Sequence, residues 1–277
     1  METQSYLIQC ITNMHVGSGD ATYGIIDKMV QRDPVTNYPT IHASSLKGAL
    51  REQFEKLWEK DTDGFNEIFG KKTSDDNEAE SGNCNFLSAD LLLLPVRCTH
   101  RQFTFSLCPQ SIEFINKKAK LLVNKEILKT SSTTDKFFTK DKVNEIYIED
   151  DKLELATHSP LLENSISVKG FDVFDQQYAI VENSKFENYT TNLPVIARNR
   201  LGKNKNLWYE EVVPHQTIFI TYFIPGPTIN KNIYTKFSET LEKNIFQIGA
   251  NSSVGYGLCK FYKINFFCYK IRNRMPG

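Results

Sequence analysis

The stretch Phe86–Arg97 limits the folds open to this chain more than any other, because it ends in the apolar run Leu91–Val96 with four successive leucines. A strand that is apolar on both faces must be covered on both sides. The run is far too short for the ~20 residues that cross a membrane, so it predicts a strand near the centre of a packed sheet. Gln102–Cys108 reads as its neighbour.

Around this pair the pattern predicts an ordered set of elements. Residues 5–12 (Ser-Tyr-Leu-Ile-Gln-Cys-Ile-Thr) are rich in β-formers and read as a first strand. A glycine-dense loop follows, with Gly17, Gly19 and Gly24. An extended stretch leads into a helix expected to start near Ser44 or Ser45, either of which could cap it. Leu46, Ala49, Leu50, Phe54, Leu57 and Trp58 share one of its faces. Lys71–Asn85 is polar and acidic and reads as a loop. Thr217–Ile224 reads as a strand, Thr235–Phe246 as a second amphipathic helix, and Leu258–Phe267 as a last, aromatic strand. From Ser111 to Tyr189 the pattern is irregular, apart from a lysine-rich helix near Asn116–Lys129. Strand, helix, strand, strand, insertion, helix, strand is the order of an α+β, ferredoxin-like fold with a large excursion in its second half. The expected organisation is one domain, with a core of about 1–110 and 215–277 and an insertion of about 111–214.

Composition narrows the function classes. At 277 residues, 40% apolar and 24% charged, the chain resembles an ordinary soluble globular protein. Met1-Glu-Thr-Gln-Ser lacks the basic flank and apolar core of a secretion signal, so a cytoplasmic location is expected. The cysteines, Cys10, Cys84, Cys98, Cys108, Cys259 and Cys268, form no CxxC pair, and free thiols are expected rather than structural zinc. The net charge of zero argues against a simple nucleic-acid coat protein, yet charge is segregated. Ile112–Lys142 holds eight lysines against four acids, Glu145–Glu154 five acids against one lysine, and Lys260–Gly277 five basic residues and no acid. Local patches decide whether a phosphate backbone can be bound.

Two segments carry candidate chemistry. Ile41-His-Ala-Ser-Ser-Leu-Lys-Gly-Ala-Leu-Arg places Ser44, Ser45, Lys47, Gly48 and Arg51 at a helix N-terminus, where unpaired N–H groups and the helix dipole favour phosphate. Lys47 and Arg51 would project together, opposite the Leu50–Phe54 stripe. Gly48 suggests close packing against the helix backbone. The alternative is a capped amphipathic helix with a solvated basic edge. The second segment is Gly17-Ser-Gly-Asp-Ala-Thr. It departs from a dinucleotide fingerprint at Thr22, but such a loop can let backbone approach phosphates. Asp27, which follows it, could hold Mg2+ or draw a proton from a ribose hydroxyl, or could be a solvated turn residue.

These blocks, His15-Val-Gly-Ser-Gly-Asp, Gly24-Ile-Ile-Asp-Lys-Met-Val-Gln-Arg-Asp and Pro39-Thr-Ile-His-Ala-Ser-Ser-Leu-Lys-Gly-Ala-Leu-Arg, resemble the N-terminal signature of RAMP-superfamily CRISPR proteins. Ser88-Ala-Asp-Leu-Leu-Leu-Leu-Pro-Val-Arg, Leu207-Trp-Tyr-Glu-Glu-Val-Val-Pro and Gly249-Ala-Asn-Ser-Ser-Val-Gly-Tyr-Gly narrow the resemblance to the backbone nucleases of type III-B effectors, the Cmr complexes. Ser111–Lys185 carries no assignable motif. His42-Ala43 stands where Pro-Gly is commoner, and Asn37-Tyr38 where Thr is usually followed by Gly, which questions the loop path there.

The resemblance implies an RRM-like core with a thumb-like β-hairpin. It also implies a filament of copies along a CRISPR guide RNA, contacts with other Cmr-complex subunits, and cutting of complementary target RNA at regular intervals. A divalent metal, Mg2+ or Mn2+, is implied as cofactor, with Asp27 as catalytic residue and metal ligand. His15, Glu210 and Glu211 are implied as weaker catalytic candidates, His15 alternatively serving a backbone group at a strand end. Gly17, Ser18, Gly19, Ser44, Ser45, Lys47, Gly48, Arg51, Asn251, Gly255 and Gly257 are the implied RNA-binding residues. The alternatives are a non-catalytic RNA-binding scaffold, a type III-A backbone subunit, and a guide-processing nuclease using histidine acid–base chemistry. The last is weakened by the lack of paired histidines among only five.

Overall fold

The computed structural model describes residues 1–19, 25–71, 80–163, 166–172, 177–200 and 206–266. In chain order the elements are β1 (Gln4–Cys10), β2 (Thr40–Ile41), α1 (Ala43–Leu57), α2 (Thr62–Phe69), β3 (Cys84–Phe86), β4 (Ala89–Arg97) and β5 (Phe103–Leu107). Then come α3 (Pro109–Val123), β6 (Lys136–Thr139), β7 (Ile146–Ile148), β8 (Asp151–Thr157), β9 (Ile166–Val168), β10 (Tyr178–Ile180) and α4 (Asn183–Thr191). Last are β11 (Val195–Arg200), β12 (Asn206–Glu211), β13 (Ile218–Pro225), α5 (Lys231–Lys243), β14 (Ile245–Gln247) and β15 (Leu258–Phe266).

β15, β1, β13 and β4 lie side by side in that order, each antiparallel to its neighbour. β1 and β4 are therefore parallel, with β13 between them and α1 in the crossover; β13 reaches β15 through α5. This is the ferredoxin-like α+β arrangement, a split βαβ repeated once. The sheet then continues β4-β5-β10-β6-β8-β7 without a break, so residues of the middle of the chain extend it.

Alternation along the strands builds two cores. Tyr6, Ile8, Cys10, Phe219 and Phe223 face α1, α2 and α5, whereas Leu7, Ile218, Ile220 and Tyr222 face the layer that includes α3. The leucine run serves both: Leu91 and Leu94 enter the first core, Leu92 and Leu93 the second. A register shift between Ile218 and Phe219, opposite Leu93 and Leu91, accommodates two consecutive side chains on one side. Phe54 anchors the first core, with the rings of Trp58, Phe69, Phe237 and Phe246 centred 5.1–5.4 Å away. Truncating such a residue to alanine costs about 3–5 kcal/mol.

Several boundaries differ from the sequence expectation. α1 begins at Ala43, with His42 at the cap position and no side-chain capping bond. Ser44 and Ser45 thus lie inside the first turn. Leu57 is 49% exposed rather than buried with its stripe. The lysine-rich helix starts earlier, at Pro109, whose ring suits a first helical position, and ends where Asn124 turns left-handed at φ 54. Asn116 is buried in it and holds the following loop, accepting from the N–H groups of Ile127 and Leu128 at 3.0 Å each. α5 starts at Lys231 because Asn230 caps it, accepting from Asn232 N. Asn37 explains the unusual loop before α1, taking φ 58, a conformation asparagine tolerates.

β11 and β12 form a separate two-stranded hairpin. Cys10, Cys84, Cys98, Cys108 and Cys259 are free thiols; Cys268, Gly24 and residues 20–23 lie outside the described residues. No described helix is long and apolar enough to cross a membrane.

Candidate functional site

The loops at one end of β1, β13 and β15 meet beneath the β11–β12 hairpin. Met14 bridges Val213, Gly257 N donates to Asn13 O at 2.8 Å, and Ala250 N donates to His15 O at 2.8 Å. Glycine is required at two of these contacts. Gly249 has φ +90, and a Cβ on it would stand 2.3 Å from His15 O. Gly257 has φ +73, and its Cβ would stand 2.0 Å from Ile248 O. Gly19 and Gly255 are also left-handed, but open space surrounds them.

Residues 27–31 run between the 16–18 loop and β12 as a bridging strip. Ser18 N donates to Met29 O at 3.1 Å and Gln31 N to Val16 O at 2.8 Å. On the other side Lys28 bridges Glu210, in parallel. Asp27 is exposed and fixed by Tyr209, whose N–H donates to Oδ2 at 2.7 Å. Asp27 N returns a bond to Tyr209 O at 3.0 Å. Among the described residues its Oδ1 has no hydrogen-bond partner.

Behind this strip lies a buried polar cluster. His15 is 3% exposed, with Nδ1 2.7 Å from Glu211 O. A carbonyl only accepts, so Nδ1 carries the proton, and Nε2 faces Glu210 Oε1 at 3.7 Å. A Cβ at Gly17 would stand 3.1 Å from that Nε2, so Gly17 leaves room for the ring. Glu210 and Glu211 are each 1% exposed. Glu210 meets Arg198 Nε at 2.6 Å and accepts from Asn251 Nδ2 at 3.0 and 3.1 Å. Glu211 meets Arg32 at 2.5 Å and accepts from Val30 N at 3.0 Å. Arg32 also donates to Asn37 O and Thr190 O at 2.9 Å each, tying the strip to α4.

A RAMP superfamily model matches residues 7–260. The chain belongs to the RAMP superfamily. It is 26% identical over 281 residues to the CRISPR system Cmr endoribonuclease Cmr4 of Pyrococcus furiosus, spanning 93% of this chain and 95% of that one. Its fold matches a chain in the structure of the type III-B Cmr-beta bound to cognate target RNA, with a TM-score of 0.73, 21% identity and coverage of 95% and 97% of the two chains. It also matches oligomeric Cmr4 from Pyrococcus furiosus, with a TM-score of 0.73, 20% identity and coverage of 96% and 99%.

In this RAMP-superfamily chain the α1 residues stand differently from the sequence expectation. Arg51 donates to Phe69 O at 2.8 Å and Gly70 O at 3.0 Å and lies over the Phe65 ring, so it closes the end of α2. Lys47 Nζ sits 5.5 Å from the Phe86 ring centre; burial first, and then the Arg51 charge, pushes its amine below the usual lysine value. Nothing approaches Gly48, so its site is open surface rather than a close packing contact. Ser44 is exposed.

Gln31 joins the two halves of the site. Its Nε2 donates to Ser45 Oγ at 2.8 Å and Gly17 O at 3.2 Å, and its Oε1 accepts from His42 N at 2.9 Å. Gln31, Arg32, Arg198 and Tyr209 escape sequence reasoning, although all but Arg198 fall inside a recognised block. Arg32 and Tyr209 meet Glu211 and Asp27 across 179 and 182 positions of chain, and no local pattern marks any of the four.

The described residues do not make a divalent-ion site by themselves. Among the described residues no three His, Cys, Asp or Glu side chains converge. Asp27 is one carboxylate with an oxygen already engaged, and Glu210 and Glu211 are each paired with an arginine.

Proposed function

We propose that this chain is the backbone subunit of an RNA-guided type III-B CRISPR effector. It binds guide RNA, stacks with copies of itself and with other Cmr-complex subunits, and cuts complementary target RNA at regular intervals. The observation that carries the reading is the exposed Asp27 carboxylate, held by Tyr209 at the hairpin base, in a chain that matches a Cmr4 endoribonuclease along 93% of its length. The likeness to a Cmr-beta chain bound to cognate target RNA and to oligomeric Cmr4 supports RNA and self-association as partners.

In the reaction we propose, a ribose 2′-oxygen attacks the adjacent phosphorus in line. Its proton passes to Oδ1 of Asp27. The bond from phosphorus to the 5′-oxygen breaks, and that oxygen leaves with a proton from water. The products are a 2′,3′-cyclic phosphate and a 5′-hydroxyl. The hairpin would hold the flanking nucleotides splayed, so orientation supplies much of the rate. His15, Glu210 and Glu211 support Asp27 from behind, and Gly17, Ser18, Gly19, Ser44, Lys47, Asn251 and Gly255 belong to the RNA-facing surface. A divalent ion is part of the proposal only as a requirement, tested by chelation.

The deciding experiment assembles the complex with Asp27→Ala. Target binding should survive while regularly spaced cutting stops. Undiminished cutting would remove Asp27 from the site; cutting lost together with binding would favour a scaffold role for this residue.

A further inference from the structure

Arg198 lies on β11, the hairpin strand away from Asp27. Its guanidinium stacks 4.4 Å from the centre of the Tyr256 ring, and its Nε stands 2.6 Å from Glu210 Oε2. Glu210 in turn meets Asn251 and His15. Tyr256 and Asn251 both belong to the 249–257 loop. Arg198 therefore closes a chain of contacts from β11, through β12, to the loops beneath.

We propose that Arg198 is a positioning residue for RNA cleavage, locking the hairpin onto the 249–257 loop and thereby setting where the Asp27 carboxylate stands. The inference rests on the function proposed above. Asp27 is held by the backbone of Tyr209, and Tyr209 pairs with Ala197, next to Arg198. A tilt of the hairpin about its base carries Asp27 with it. A two-stranded hairpin has little stability of its own, and Leu207 at 62% exposed and Val195 at 42% show how little of it is covered. Its direction must come from attachments at the base. On β12 these include Lys28 against Glu210, Arg32 against Glu211 and His15 against Glu211 O; β11 is attached through Arg198.

The side chain suits positioning better than fold stability. Its Nη2 is buried with no hydrogen-bond partner among the described residues, so charge and stacking hold it rather than a full set of bonds. Only arginine combines a flat face for Tyr256 with a permanent charge for Glu210.

The test uses complexes carrying Arg198→Ala, Arg198→Lys, Tyr256→Leu or Asp27→Ala, loaded with guide RNA. Target affinity and single-turnover cleavage at saturating target are measured for each. Arg198→Ala should cut about 10- to 100-fold more slowly with target affinity within about twofold of the parent. Added guanidinium should restore part of that rate in Arg198→Ala and none in Asp27→Ala, a rescue that a merely structural role would not give. Arg198→Lys should stay slow because it keeps the charge but loses the flat stack. Unchanged cleavage in Arg198→Ala, or affinity and rate falling in parallel, overturns the proposal. Should Arg198→Ala fail to assemble, Tyr256→Leu decides, since it keeps the ion pair: slow cleavage with intact binding supports positioning, and normal cleavage overturns it. Normal cleavage by Asp27→Ala would instead sink the functional reading itself.

Discussion

Asp27 and Tyr209 bind each other twice, the Tyr209 N–H donating to Oδ2 of Asp27 at 2.7 Å and the Asp27 N–H donating to Tyr209 O at 3.0 Å. The candidate base is thereby mounted on the hairpin backbone with Oδ1 directed to no protein partner among the described residues. Asp27→Asn can keep the bond from Tyr209 through its amide oxygen while losing the charge. Cleavage should fall about 100- to 10,000-fold, with target affinity and the melting temperature unchanged. A variant that melts well below the parent would show that the carboxylate serves the fold.

Glu211 is engaged by the fold through both of its carboxylate oxygens. It is 1% exposed and holds both Arg32 and Val30 N. Glu211→Ala strands the Arg32 charge and should destabilise the RNA-free subunit by about 3–5 kcal/mol in urea denaturation. A loss below about 1 kcal/mol would mean the pair relaxes into solvent.

Arg51 and Lys47 should separate in the same measurements. Arg51→Ala removes two charged bonds to the end of α2 and should cost about 1.5–3 kcal/mol before any RNA is present. Lys47→Ala gives up only a contact with a ring face, about 0.5–1 kcal/mol, and should lower guide-RNA affinity instead. Equal stability losses in the two variants would contradict this division.

Burial pushes the Cys84 thiol from its usual 9.0 up to about 12. Its thiolate is therefore scarce near neutrality, and the thiol is shielded as well. Peptide mapping after alkylation of the native protein near pH 8 should find Cys84 and Cys10 unmodified and half-buried Cys98 modified; urea should expose all three. Native labelling of Cys84 would show that β3 opens.

The local sequence determined the elements of the ferredoxin-like core and their order, but not α2, α4 or the strands of the middle of the chain. Strand runs, the α1 stripe and the leucine block are read from neighbouring residues, because hydrophobic periodicity is a local property. The ferredoxin-like arrangement follows from that order, and the family signature from the same blocks. The helix starts at Pro109 and Lys231 were blurred by side chains, Cys108 and Asn230, that cap across a boundary.

Which residue does what was decided only in three dimensions. Lysines and acids segregated along the chain meet across strands, as Lys136 does with Glu154 and Lys152 with Glu145. Arg51 sits where phosphate would be expected, yet it is taken by the end of α2. Asp27 is held by a residue 182 positions away. Charge and hydrogen-bonding capacity are written in the sequence, but each donor satisfies whatever acceptor the fold brings within reach. That pairing needs the sheet, the hairpin and the loops beneath it assembled together.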